Sequence, residues 1–126
     1  MDLQKIYDIF LECNQEICTD TRSLIKGSLF VALSGANFNG NKFIKQALNS
    51  GCLFAISDDP KYSNNKNIVL VDDSIGFLHD LANFHRNMFK IPVLAITGTN
   101  GKTTTKELLN SVLSKKYKVL STFGNL

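Results

Sequence analysis

The stretch from Ile91 to Leu109, IPVLAITGTNGKTTTKELL, restricts this chain more than any other part of it. An apolar run, VLAIT, leads into a turn containing Gly98 and Gly101, and then into a segment with Leu108, Leu109, Val112 and Leu113 on one helical face. The spacing predicts a strand, a tight turn and a helix, with a further strand at YKVLST completing a β-α-β unit. A helix entered from such a turn presents amides that lack intrahelical partners, at the positive end of its dipole. Anions collect there, and Lys102 adds a full positive charge.

Upstream, the same alternation repeats. Leu3, Ile6, Tyr7, Phe10 and Leu11 follow helical spacing and predict an amphipathic helix packed on the first sheet. Residues 17–22 read as a short extended or turn segment, and GSLFVALSG, from Gly27 to Gly35, as a buried strand bounded by glycines. After the loop ANFNGN, the residues Phe43, Ile44, Ala47 and Leu48 mark a helix face that ends at Gly51. CLFAIS and NIVLVDD predict two more strands, separated by a polar surface loop over 58–67 with Pro60 and three asparagines. Ser74 is placed to cap a helix whose inner face is Ile75, Leu78, Leu81, Ala82, His85 and Met88.

Strands alternating with helices imply an α/β fold with a mainly parallel sheet. The first α/β unit closes near Phe89 to Pro92 and a second starts from a fresh strand, so the chain is expected to divide into residues 1–90 and 91–126. The second part has too few strands to bury both faces of a sheet and is expected to be the start of a larger domain.

Composition removes several classes of function. The 126 residues carry a formal net charge of +3, with the lysines scattered, so the basic stripe of a nucleic-acid binder is missing. No stretch approaches the ~18 apolar residues of a membrane span, and Asp2, Lys5, Asp8 and Glu12 interrupt any signal-like run. Cys13, Cys18 and Cys52 are odd in number, lack CxxC spacing and are expected to be reduced and buried. His79 and His85 do not share a helical face, so they are not expected to hold a metal. The chain is expected in the cytoplasm, without nucleic-acid or membrane partners.

The turn itself suits the phosphates of a nucleotide. Gly98, Thr99, Asn100, Gly101, Lys102, Thr103 and Thr104 form the candidate loop, with Lys102 reaching the β- and γ-phosphates and the hydroxyl of Thr103 or Thr104 ligating magnesium. Two residues separate its glycines, where the common phosphate loop has four. An ordinary capped turn does not explain three successive β-branched threonines, which are poor helix formers.

ITGTNGKTTTKE resembles the ATP loop of the Mur ligases, whose phosphate loop has this shortened spacing. The DTR of Asp20 to Arg22, the GSLFVALSG run and NFNGNKFIKQALNSG are similar to the UDP-binding domain of the last two ligases of that pathway. Asn39 stands where aspartate is common in that pattern, and Asn41 where histidine or arginine often stands. STFGNL resembles the start of a later family segment, which implies a substrate role for Asn125.

The resemblance implies a bacterial, ATP- and Mg2+-dependent peptide ligase of which this chain is the N-terminal part, inactive alone and monomeric when complete. Its substrates are a UDP-N-acetylmuramoyl peptide and, as Lys106 and Glu107 suggest, D-alanyl-D-alanine. In that mechanism a carboxylate of the UDP-linked peptide attacks the γ-phosphate of ATP, and the incoming amine displaces phosphate from the acyl phosphate. Lys102 stabilises the transferring phosphoryl group. In the first domain, Thr21 and Asn37 can bond a uracil edge or ribose and Arg22 a phosphate, while Asn39 and Gly40 belong to a loop that lets backbone approach closely. Three alternatives stay open: a Mur ligase adding a diamino acid or lysine, a phosphate-loop protein using ATP as a switch or motor, and a UDP-binding module without catalysis. Arg22 can also simply pair with Asp20, and Asn39-Gly40 is also a plain turn signal.

Overall fold

The parallel sheet is organised by the alternation of its central strands. The computed structural model describes residues 3–35 and 38–123. It has helix α1 (Leu3–Glu12), strands β1 (Ile17–Cys18), β2 (Leu29–Val31), β3 (Ser34–Gly35) and β4 (Phe38–Asn39), helix α2 (Ile44–Asn49), strands β5 (Phe54–Ser57) and β6 (Ile68–Leu70), and helices α3 (Ser74–Asn87) and α4 (Lys102–Leu113). Single 3-10 turns lie at Thr21–Ser23, Gly40–Phe43 and Pro60–Tyr62. Four strands form an all-parallel sheet in the order β1-β2-β5-β6, and β3 pairs antiparallel with β4.

Side chains on a strand alternate between faces. Leu29, Val31 and Ile56 point to one side, where they meet Ile6, Tyr7 and Phe10 of α1 and Phe77 and Leu81 of α3. Phe30 and Ala55 point to the other, against Ile44 and Ala47 of α2. With both faces covered, the strands are apolar except for the terminal Ser57 of β5, in keeping with a parallel sheet. The N-terminal helix packs on the sheet as its periodicity predicts, although Leu11 faces solvent. Gly51 follows α2 with φ +106°, a conformation that only glycine adopts without strain.

Two local expectations are corrected. Asp73, not Ser74, caps α3, accepting the amides of Ile75 and Gly76 at 3.0 Å each; a carboxylate one residue earlier fits the extended cap position (φ −146°, ψ 117°). The buried face of α3 is Ser74, Phe77 and Leu81, so Ile75, Ala82 and Met88 are exposed. Phe84 and His85 form an aromatic cluster with Tyr7, whose hydroxyl lies 3.0 Å from His85 Nδ1.

The chain divides into compact units Met1–Phe89 and Lys90–Leu126. In the second, VLAIT and YKVLST form no ladder, so the expected β-α-β unit is reduced to α4 between irregular segments. A strand exists only through a hydrogen-bonded neighbour, and apolar pattern alone does not supply one. Val93, Leu94 and Leu120 are exposed in consequence.

Cys13, Cys18 and Cys52 are buried free thiols. Burial pushes Cys13 up to about 11, so it is a packing residue and not a nucleophile. Among the described residues no cluster of histidine, cysteine and carboxylate side chains could hold a metal, and no helix is long and apolar enough to cross a membrane.

Candidate functional site

In parallel sheets, ligands bind beyond the carboxyl ends of the strands. The segment leaving β1 there is Thr19 to Arg22. With Phe30, Phe38 and Phe43 it lines a cleft of about 530 Å³. The Cys18 thiol donates to the Asp20 carbonyl (3.0 Å) and anchors the turn from below.

Arg22 is held by Asp20. Its Nε donates to both carboxylate oxygens at 3.0 Å, Nη2 donates to Oδ2 at 2.6 Å, and its backbone amide donates to Oδ1 at 2.9 Å. The pairing that was an alternative in the sequence is therefore formed. It uses one edge of the guanidinium, and the side chain remains 89% exposed, so the other edge is open to a ligand. The guanidinium first, and the Arg22 amide second, hold the Asp20 carboxyl at about 2 instead of its ordinary 3.8. Because the folded value is the lower one, this contribution to stability is complete above about pH 4 and is lost as the pH falls toward 2. An NMR titration should place the Asp20 midpoint near 2; a midpoint at 3.8 would mean that the fork does not form in solution.

The other predicted contacts separate. Thr21 lines the cleft. Asn39 does not: its Oδ1 accepts the Asn41 amide at 2.9 Å and caps the turn Gly40–Phe43. Gly40 is buried, and a Cβ there would lie 2.5 Å from the Leu33 carbonyl oxygen and 2.8 Å from the Leu33 nitrogen. These residues shape the loop instead of lining the cleft. Gly40→Ala is expected to cost about 1 to 3 kcal/mol through overpacking against backbone, read as a lowered urea midpoint. Asn37 and Asn125 lie outside the described residues.

The aromatic wall was missed in the sequence. Phe43 reads there as helix core, and nothing in the spacing of Phe38 marks it. In the structure the two rings stack at 5.8 Å and 14°, although Phe38 is 54% exposed. Beside them is a largely buried polar cluster that no sequence motif marks. Asn41 Nδ2 donates to Asp58 Oδ1 (2.6 Å) and to Ser34 Oγ (3.1 Å), and Ser57 Oγ donates to Asn41 Oδ1 (2.7 Å). Asp58 also accepts from the hydroxyls of Ser74 (3.1 Å) and Ser34 (3.4 Å).

In the second unit, Gly98 (φ +145°) and Gly101 (φ +75°) take conformations that favour glycine, and Gly101 is the N-cap of α4. The first i to i−4 bond runs from the Thr105 amide to the Gly101 carbonyl (2.9 Å), so the amides of Lys102 to Thr104 precede the helical ladder. Lys102 Nζ donates to the Gly98 carbonyl (2.7 Å), which folds the ammonium back over the turn. The turn therefore brings together the ammonium, the helix start and the hydroxyl-bearing residues Thr103 and Thr104. Lys106 Nζ, beside Glu107 (3.1 Å), donates to the Thr122 carbonyl (2.7 Å) and ties the following segment to α4.

Comparison with known proteins agrees along the whole chain. Residues 15–86 match the family model described as Mur ligase family, catalytic domain, and residues 96–126 match Mur ligase middle domain. The chain is 43% identical to the UDP-N-acetylmuramoyl-tripeptide--D-alanyl-D-alanine ligase of Synechocystis over 86% of its own length and 24% of that protein's. It is 37% identical to the ligase of the same name from Borreliella burgdorferi over 99% of this chain and 28% of that one. Among solved structures, the MurF ligase of Thermotoga maritima in complex with ADP superposes with a TM-score of 0.76 at 36% identity, covering 88% of this chain and 26% of that one. MurF from Acinetobacter baumannii gives 0.73 at 37%, covering 86% and 24%. The chain spans about a quarter of the length of these relatives. The chain belongs to the Mur ligase family.

Proposed function

We propose that this chain is the N-terminal part of a bacterial cytoplasmic ligase that joins D-alanyl-D-alanine to a UDP-N-acetylmuramoyl tripeptide at the expense of ATP. The observation that carries the reading is the glycine turn over residues 98–101 feeding the start of α4, with the Lys102 ammonium folded over it. The names of the relatives support the choice of amine, and the ADP in the Thermotoga ligase supports the choice of nucleotide.

Residues 1–90 receive the UDP end of the precursor in the cleft of Thr21, Arg22 and the phenylalanines. Residues 91–126 begin the ATP-binding domain. The amides at the start of α4 hold the β-phosphate, and Lys102 follows the γ-phosphoryl group as charge moves onto it. The hydroxyl-rich helix start fits a hard cation. Thr103 and Thr104 are the residues that would hold magnesium, which when bound neutralises phosphate oxygens.

In the reaction, a carboxylate oxygen of the tripeptide bonds to the γ-phosphorus as the bond to the β-γ bridging oxygen breaks, releasing ADP. The D-alanyl-D-alanine amine then bonds to the acyl carbon, phosphate leaves and the amine gives up a proton. The chain described here needs no nucleophile of its own for either step.

The test uses the full-length ligase and measures phosphate release. Release is expected only when ATP, the UDP-tripeptide and D-alanyl-D-alanine are all present. Steady ATP hydrolysis without the precursor, and no peptide product with it, would favour a nucleotide-driven switch. Product formed with a diamino acid in place of the dipeptide would reassign the chain within the family.

A further inference from the structure

Asn41 lies in the chain between Phe38 and Phe43, yet it is 2% exposed and forms no part of the cleft wall. Both polar atoms of its side chain are used, and so are its backbone groups, since its amide donates to Asn39 and its carbonyl accepts from the Tyr62 hydroxyl at 2.8 Å. The β3-β4 ladder has only two residue pairs, Ser34↔Asn39 and Gly35↔Phe38. A ladder that short does not hold itself. It is held at its base, by Asn41 Nδ2 on Ser34 and by the Gly40 amide on the Leu33 carbonyl (2.8 Å).

Asp58, just beyond the carboxyl end of β5, fixes Asn41 in turn. Its carboxylate gathers donors from β3, from the turn Gly40–Phe43 and from the start of α3. A well-packed apolar group would fill such a space at no greater cost, so the gain from a satisfied buried network lies in a fixed geometry. That geometry is delivered to the segments carrying the two stacked rings.

We propose that Asn41, clamped by Asp58, is a positioning residue for the aromatic wall of the cleft, setting how Phe38 rests on Phe43 and thereby the affinity for the nucleotide end of the precursor. The proposal rests on reading this cleft as the UDP site.

The experiment titrates the full-length protein with uridine diphosphate and, separately, with Mg-ATP. Asp58→Ala is expected to weaken UDP binding ~10-fold, and Asp58→Asn, whose amide oxygen still accepts from Asn41, to remain within about threefold of wild type. If Asp58 acts through the rings, Asp58→Ala adds no further loss in a Phe38→Ala background, and Mg-ATP affinity is unchanged throughout. Ser34→Ala, which removes an acceptor of Asn41 on β3, runs the same cycle should Asp58→Ala fail to fold. Wild-type UDP affinity in Asp58→Ala, or losses that add in the double variant, overturns the inference. A wild-type protein that does not bind UDP overturns the reading of the cleft and this inference with it.

Discussion

Lys102→Ala in the full-length ligase should lower turnover by about 10²- to 10³-fold or more, while UDP affinity stays within about twofold of wild type. The ammonium heads the helix that follows the glycine turn, and the contact it makes there is to the Gly98 carbonyl. A charge-assisted hydrogen bond of this kind contributes roughly 1.5 to 3 kcal/mol to holding a phosphate in the ground state. The effect grows at the transition state, where negative charge spreads over the transferring group. Lys102 is exposed and its unit buries little, so the melting temperature of residues 1–90 should not move. Parallel losses of turnover and UDP affinity would contradict the division of labour between the two units.

Asn41→Leu should destabilise the first unit by about 3 to 5 kcal/mol, a large share of the 5 to 15 kcal/mol by which domains of this kind usually hold together. The substitution keeps the number and branching of the side-chain heavy atoms, so a cavity is not the cause. It strips the fully buried Ser57 hydroxyl of its acceptor and the half-buried Asp58 of its shortest donor. Chemical denaturation followed by circular dichroism measures the loss, and a variant within 0.5 kcal/mol of wild type (about the scatter of surface substitutions) would show that the cluster is not structurally important.

The layers were legible in the chain because period-2 and period-3.6 patterns record which side chains must leave water. Leu29, Val31 and Ile56 on one face, and Ile44 and Ala47 opposite, are such positions. What stayed hidden depends on partners distant in sequence. Asn41 and Asp58 are 17 residues apart, and each reads alone as a solvated loop residue. Phe38 follows no period, and Phe43 reads only as part of the α2 face, so neither marks a cleft wall. The glycine turn was legible because φ +75° at Gly101 is written in the residue type itself. VLAIT misled for the complementary reason: its pattern states a preference for a ladder, and a preference is not a neighbour.

Helix α4 has no buried residue, and Leu120 and Phe123 are fully exposed. A receptor for a triphosphate tail must be stiff before its guest arrives, otherwise each contact is spent on freezing the host. On the proposed reading the recognition elements lie in residues 98–104, and their rigidity depends on how well the exposed Leu108, Leu109 and Leu120 are packed. Binding strength and binding chemistry are thus encoded in different stretches of polypeptide, and grafting the loop alone onto another scaffold should transfer the second without the first.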